Sequence, residues 1–405
     1  MKNILIAIRS IFKKGRHNVM KIVSLGIGLA VGLVLIAKVY FEQSYDDFYP
    51  DRDRVYQVWA KYQQKGGELK DYPQTSGGIA PTMQQQIPEI ETVTRYTSFG
   101  DWTFTMTDTK MKYSGRCIIA DSCFFDILPR PMLIGNAKEV LSTPMYVLIS
   151  SRIAKNIGGD VIGKNFTVDN SPGRTMTIGG VFEEVPENSH SRYDVIVSMA
   201  SAGRFMWEGS PTNMLGNDRY ISYVKLHKGV NPLALEEQVR TFVNSYFPPE
   251  EQQKVGLSID FSFHKLDNLH KELPQVKRMT WILSLLAFAL IFTAVMNYIL
   301  IVISSIVNRS KEVAVHKCYG ASENNIHGMM FGEALVHIVL SLILALLLIL
   351  AFRGTVEELL ATSLDSLLLS NGSLVLLGIC ILVFFRIWFY AGIIIRPDSG
   401  GLRFP

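Results

Sequence analysis

Four apolar runs punctuate the chain, at about 22–41, 279–307, 331–352 and 373–395, each near or above the ~20 residues that carry a helix across a bilayer. Between the first and second lie roughly 230 mostly polar residues, where the pattern changes to short alternating segments separated by Gly, Pro, Asn and Asp. RVYQVWA at 54–60, MYVLI at 145–149 and TMTI at 175–178 read as strands. Helices are expected at Pro81–Gln86, Ser151–Ile157 and Pro232–Tyr246. The predicted fold class is a membrane protein with four transmembrane α-helices (1+3) and a large mixed α+β extracytoplasmic domain, with room for two lobes, between helices 1 and 2. A domain of that size buries a core without disulfide staples.

Composition refines this picture. Hydrophobic residues make up 48% and charged residues 19%, with a mean hydropathy of +0.20, so a membrane regime and a soluble regime are being averaged. The net charge of +4 is concentrated where topology needs it. Lys2, Arg9, Lys13, Lys14, Arg16 and Lys21 precede the first run without one acidic residue, which places the N-terminus in the cytoplasm. Arg309, Lys311 and Lys317 crowd the loop after the second run, while Glu357, Glu358 and Asp365 outnumber Arg353 after the third. The chain then divides into a cytoplasmic amphipathic helix (1–21), a first span (22–41), an outer domain (42–276), a second span (279–307), a cytoplasmic loop (308–330), a third span (331–352), an external loop (353–372), a fourth span (373–395) and a cytoplasmic tail (396–405).

The first run reads as an uncleaved signal anchor, because it exits through Lys38, Tyr40, Phe41 and Glu42, with snorkelling and aromatic residues and no small-x-small cleavage pattern. Within it Gly26, Gly28 and Gly32 include a GxxxG spacing that lets another helix approach closely. Ahead of it Ile4, Leu5, Ile8, Ile11 and Phe12 recur at helical spacing, as in a helix lying on the inner leaflet. The second span is long: about 28 uncharged residues make a helix of ~42 Å, which must tilt or project beyond a ~30 Å core. Pro274, Lys277 and Arg278 mark its outer end. Cys117 and Cys123 both fall in the outer domain, where a disulfide and two separately packed thiols are both open readings.

Enzymatic motifs are near-misses. Gly158–Asn165 (GGDVIGKN) lacks the terminal hydroxyl of a phosphate-binding P-loop and follows a helix rather than opening one, so it reads as a turn. His316, Cys318 and His327 have metal-ligand side chains without the pair spacing of a zinc site. His190, with Glu183, Glu184 and Glu187 nearby, reads as a solvated charge cluster on a surface loop. The chain is therefore expected to be no enzyme and to hold neither cofactor nor metal. The stretch 308–322 instead continues the second helix past the membrane, with charges flanking Val313, Ala314 and Val315, a break at Gly320 and a cap at Ser322. It reads either as a docking element for a cytoplasmic partner or as an interfacial hairpin on lipid.

RSKEVAVHKCYGAS (309–322) resembles the R-x-x-E-[IV]-G-[IV]-R-[KR]-[AV]-[LM]-G-A-[ST] signature of MacB/FtsX-type permeases of ABC transporters, and FGEAL (331–335) follows as the next helix does there. Also similar to that family are IAIRSIFKKGRHNVMKIVSLGIGLAVG (6–32), SYDDFYPDRDRVYQV (44–58), ADSCFFDILPRPMLIGNAKEVL (120–141) and the segments 150–168 and 177–199. The resemblance implies a four-helix permease with a MacB-like periplasmic core domain of two subdomains in a bacterial inner membrane. It implies a dimer or paired permease working with a separate cytoplasmic ABC ATPase, and mechanotransmission of ATP hydrolysis to the outer domain for export or envelope-directed work. Lys311, Glu312, Lys317, Gly320, Ala321 and Ser322 become the ATPase-coupling loop, with Glu333 at the base of the next helix. A periplasmic adaptor or outer-membrane channel is a further partner that the family admits.

The chain departs from the family at Ala314 and His316, where Gly and Arg are usual, and at Arg386 inside the fourth span. Its tail, 395–405, does not resemble the continuation into a second copy found in larger members, which leaves a half-size subunit and a truncated longer permease as alternatives. The other functional class is a membrane-anchored sensor or envelope-binding protein without transport.

Overall fold

The computed structural model describes residues 18–169, 171–308, 323–368 and 378, with side chains apart from those of 171, 172, 302–334 and 368. It separates into a helical unit, 1–44 with 273–405, and an inserted unit, 45–272.

The helical unit opens with α1 (Asn18–Gln43), a helix of 26 residues. The inserted unit contains β1 (Val55–Gln64), β2 (Leu69–Tyr72), α2 (Ile79–Gln86), β3 (Ile90–Met106), β4 (Lys112–Ala120), α3 (Phe124–Ile127), β5 (Met132–Ile134), α4 (Ala137–Ser142), β6 (Tyr146–Ser150), α5 (Ser151–Ile157), β7 (Asn165–Val168), β8 (Ser171–Phe182), β9 (Val195–Ser198), α6 (Ala202–Phe205), β10 (Ile221–Leu226), α7 (Glu236–Tyr246), α8 (Pro249–Val255) and β11 (Leu257–Lys265). The helical unit resumes with α9 (Pro274–Asn308), α10 (Glu323–Ala351), α11 (Arg353–Leu360) and α12 (Leu364–Leu368).

All the strands join one sheet, in the order β11-β1-β10-β3-β4-β9-β6-β8-β5, with β2 on β1 and β7 between β3 and β8. The strand that makes two lobes from it is β3, 17 residues long. Residues 90–96 pair with β10 and 96–105 with β4, the two ladders overlapping at Tyr96, and just beyond the overlap the β3–β4 register shifts at a bulge between Ser98 and Gly100. A bulge bends and twists a strand, so one continuous chain can serve two cores. On the first side, α2 and α7 cover the antiparallel face of β11, β1, β10 and β3 around Val58, Met83, Val224 and Phe242. On the second, β3, β4, β9, β6, β8 and β7 pair in a closed ring. Its interior holds Phe104, Cys117, Val147, Phe166, Met176 and Val195. Closure removes the exposed strand edges that a short open sheet would leave.

The expected strands at 54–60, 145–149 and 175–178 coincide largely with β1, β6 and β8, and the expected helices with α2, α5 and the 3-10 turn Pro232–Leu235 that leads into α7. Gly158–Asn165 is a turn, as the sequence predicts. Gly158 ends α5 with φ +74°, and the Gly163 amide donates to the Ile178 carbonyl, so it points into the sheet. Cys117 and Cys123 are both free thiols, one inside the ring and the other at the start of α3, donating to the Val93 carbonyl at 3.0 Å.

Among the described residues two helices are long and apolar enough to cross a membrane, Asn18–Gln43 and Pro274–Ile301. A third exists if Leu335–Ala351 and Arg353–Leu360, bent by 71°, are one span. The run 373–395 lies outside the described residues, and among the described residues the structure carries the mixed α+β unit and these helices. The helix that holds the second predicted span begins before the apolar run: Pro274 opens α9, and Lys277 and Arg278 lie inside it. Proline fits a first helical turn, where its missing N–H has no intrahelical partner. At 35 residues, α9 is about 52 Å long.

Candidate functional site

Glycine decides how the helices of the first unit meet. A Cβ on Gly28 would fall 2.3 Å from the Ala294 Cβ of α9, and one on Gly32 would fall 2.5 Å from Ile291 Cγ1. A Cβ on Gly26 would meet Leu344 Cδ2 of α10 at 2.9 Å. One glycine stripe therefore seats α1 on α9 and the next glycine seats it on α10, with Leu25, Leu29, Val295, Tyr298 and Ile338 buried between them. Water does not drive such helices together, so the close van der Waals approach that small residues permit supplies the packing. Ser341, fully buried on α10, donates to the Ile22 carbonyl of α1 at 3.2 Å. The buried Tyr298 and His337 rings meet edge to face at 6.4 Å between centroids.

The far end of α1 corrects a sequence expectation. Lys38 does not snorkel: it is 7% exposed, pairs with Glu42 at 2.7 Å and donates to Thr362 Oγ1 at 2.7 Å. The segment after α10 is folded onto it. Arg353 holds Glu357 and Asp365, Glu357 accepts from the Leu364 amide at 2.9 Å, and Leu364 and Leu367 are buried.

In the inserted unit, the first and last residues are laced together. The rings of Tyr45 and His270 stack at 3.4 Å. Asp47 and Asp267 share two cations, Arg52 at 2.9 and 3.6 Å and Lys271 at 3.6 and 3.0 Å. Next to them Asp51 holds Lys225 at 2.6 Å and Arg54 at 3.1 Å. Hydrogen bonds from Lys225 and then Arg54 lower its pKa to about 2. The contribution to stability is complete above the ordinary value of 3.8 and is lost as pH falls through about 2. Asp51→Asn is expected to flatten the acid limb of a stability-against-pH curve in that window, by less than about 1 kcal/mol because the carboxylate is a third exposed. An unchanged acid limb would remove Asp51 from the account.

Asp46, with φ +60° and no exposed surface, carries a second network. Its Oδ2 accepts from His190 Nδ1 at 2.7 Å and its Oδ1 accepts from Ser189 Oγ at 3.1 Å. His190 Nε2 meets the hydroxyls of Tyr223 and of Ser191, the latter at 3.1 Å, and Ser191 Oγ meets Tyr96 OH at 2.5 Å. Burial raises the Tyr96 phenol to about 12 and pushes Tyr223 well above its ordinary value, so both stay neutral. The order Asp, His, Ser is that of a nucleophilic relay. Ser191 is buried and its hydroxyl is shared between His190 and Tyr96, so the network ties the segment 189–191 to Asp46, Tyr96 and Tyr223. The expectation of a solvated His190–glutamate cluster is thereby corrected: Glu183 pairs with Arg130, Glu184 with Arg152, and His190 with Asp46. Asp46 lies 144 positions away, beyond the reach of any local pattern.

Of the predicted site residues, Gly26, Gly28 and Gly32 stand in α1 at the contacts above. Lys311, Glu312, Lys317, Gly320, Ala321 and Ser322 lie outside the described residues, as do His316, Cys318 and the helix expected before Asn18. Glu333 falls on α10, its side chain undescribed.

Helices able to cross a bilayer, with a large folded unit inserted after the first of them, define an integral membrane protein that carries a soluble-type domain. Residues 20–242 match the family model of the MacB-like periplasmic core domain and residues 284–397 that of the FtsX-like permease C-terminal domain. The chain belongs to the MacB/FtsX family of ABC transporter permeases, inner-membrane subunits with a periplasmic domain that work with a cytoplasmic ABC ATPase. Among solved structures it is similar to a domain of a putative permease protein from Porphyromonas gingivalis, with 33% identity over 54% of this chain and 91% of that one and a TM-score of 0.49. It is also similar to the periplasmic region of MacB from Actinobacillus actinomycetemcomitans, with 15% identity over 54% and 91% and a TM-score of 0.34. The extracellular domain of the noncanonic ABC-type transporter YknZ from Gram-positive bacteria matches with 11% identity over 52% and 98% and a TM-score of 0.36. No curated protein matches the chain.

Proposed function

We propose that this chain is the permease subunit that converts ATP hydrolysis by a separate cytoplasmic ATPase into movement of its extracytoplasmic unit, for export or envelope-directed work. The observation that carries the reading is the order of the two family matches, a periplasmic core domain at 20–242 followed by a permease domain at 284–397. The physics of the chain supports it. α9 is a rigid rod of about 52 Å, longer than the hydrocarbon core, and its glycine contacts tie it to α1, so the two helices that enter and leave the inserted unit move together. The lacing of Tyr45, Asp47 and Arg52 to Asp267, His270 and Lys271 makes the two ends of that unit one piece. Both termini are cytoplasmic in this reading, the permease works as a dimer or pair, and Lys311–Ser322 with Glu333 receives the ATPase.

The test titrates the chain in lipid nanodiscs with the ABC ATPase encoded nearest its gene. The chain alone is expected to bind no nucleotide, the parent chain to capture the ATPase, and Glu312→Arg to abolish the capture by placing a cation where the family motif has an acid. Capture by the variant with the parent's affinity would overturn the docking assignment.

A further inference from the structure

β11 ends the strand order, with β1 on one side of it and, among the described residues, no strand on the other. In an antiparallel pair, residues whose amides face the partner alternate with residues whose amides face away. The Lys65 amide donates to the Gly256 carbonyl at 2.8 Å, one step beyond the Gln64–Leu257 pair, so the even-numbered residues of β11 face β1. Leu257, Ile259, Phe261 and Phe263 therefore turn their amides outward. Side chains already occupy two of these. Ile259 donates to Gln252 Oε1 at 2.9 Å, and Phe261 donates to Oδ1 of the preceding Asp260 at 2.8 Å.

Gln252 stands in for a neighbouring strand, because its Nε2 also donates to the Phe247 carbonyl at 2.6 Å. It belongs to α8, a helix of seven residues between Pro248 and the left-handed Gly256, φ +70°, and none of the seven is buried. A helix so short has little stability of its own. With no apolar side chain to anchor it, the seat of α8 against the edge rests on the two hydrogen bonds of Gln252.

We propose that α8 is a lid on the outer edge of β11, latched by Gln252, and that it keeps this edge from pairing with the same edge of a second copy of the chain. An uncovered edge is a template for another strand, and β11 is complementary to itself. Antiparallel pairing about a two-fold axis at Phe261 brings outward amides to outward carbonyls and sets Ile259 opposite Phe263 of the second copy. The same register sets Asp260 opposite Ser262 and Ser258 opposite His264 of the second copy, so no like charges face each other. The lid lies wholly within the inserted unit, and ATPase coupling does not enter its test.

The test places the full chain in nanodiscs holding one copy each and reads hydrogen exchange and sedimentation over a range of concentrations. Gln252→Met keeps the length of the side chain and removes both bonds. At low concentration it is expected to speed exchange of the Ile259 amide about fivefold or more, and to leave the Asp260 amide, which faces β1, at the parent's rate. At high concentration the variant discs are expected to pair, with Ile259, Phe261 and Phe263 protected again, while the parent discs stay single. Ser262→Asp added to Gln252→Met opposes Asp260 of the second copy with a like charge at two points and should weaken the pairing about tenfold. The proposal is overturned if Gln252→Met exchanges at Ile259 like the parent, if its discs remain single at every concentration, or if Ser262→Asp leaves the pairing unchanged.

Discussion

Gly28→Ala is expected to lower the thermal unfolding temperature of the chain in detergent, and a second change, Ala294→Gly, to recover most of the loss. The new methyl would sit 2.3 Å from the Ala294 Cβ, and neither atom has a rotamer through which to escape. The helices must separate, and overpacking of this kind costs roughly 1–3 kcal/mol. Removing the Ala294 methyl leaves the next contacts of the new Cβ at 3.6 and 3.7 Å, ordinary van der Waals distances. Ala294→Gly alone also destabilises, because it opens a gap and weakens helix propensity. The signature is therefore strong non-additivity, two harmful changes that compensate each other. Gly32→Ala should cost less, since Ile291 can turn aside, and Gly26→Ala least, since its nearest atom is the flexible end of Leu344. If Gly28→Ala melts with the parent, or if the double variant is no better than the sum of its parts, the close contact of α1 with α9 is wrong.

Arg95→Met is expected to be the most damaging single change in the inserted unit. Arg95 is 11% exposed and binds Asp121, itself 16% exposed, through Nε at 3.1 Å. Its Nη1 donates to the carbonyls of Gly77 and Pro211, and its guanidinium lies 5.6 Å from the Tyr220 ring. One planar group thus ties β3 to the loops on either side of it, and lysine, with a single compact ammonium, cannot make the same set. Removal leaves the largely buried Asp121 carboxylate without its counter-ion, holding only the residue-95 amide at 2.9 Å, and takes the guanidinium from two carbonyls, at a cost of about 3 kcal/mol or ~6–12 °C in a unit of this size. Arg95→Met with Asp121→Leu should recover the charge part only, because the carbonyls stay unsatisfied. A single variant that melts within about 2 °C of the parent would show that Arg95 does not hold these loops.

The lobes of the inserted unit were readable strand by strand, because β1 and β6 are short apolar-rich runs bounded by turn residues, β8 alternates through 175–178, and α2, α5 and α7 follow a helical pattern. The joint between the lobes was not. Nothing local in β3 says that one half pairs with β10 and the other with β4. The candidate sites divide in the same way. Gly26, Gly28 and Gly32 stand out as a spacing within one helix, whereas Ala294, Ile291 and Leu344, which give that spacing its effect, are far along the chain. His190 was read with Glu183, Glu184 and Glu187 because they are neighbours in sequence, and its true partner Asp46 comes from the other end of the unit. Lys38 was read as snorkelling because it stands at the exit of the apolar run with Tyr40, Phe41 and Glu42, but it is buried against Glu42 and the distant Thr362 hydroxyl.

By itself the sequence determined what depends on composition and short-range period: which segments suit a bilayer, where a large α+β unit is inserted and which family the chain resembles. Only the tertiary structure decided which groups meet. It turned a free-looking lysine into a buried pair and an apparent surface histidine into a tie, and it aimed the turn that the sequence had already indicated at Gly158–Asn165 toward the sheet. The physical reason is that hydrophobic periodicity is written into neighbouring residues, whereas hydrogen bonds and close packing depend on chain ends brought together from hundreds of residues apart.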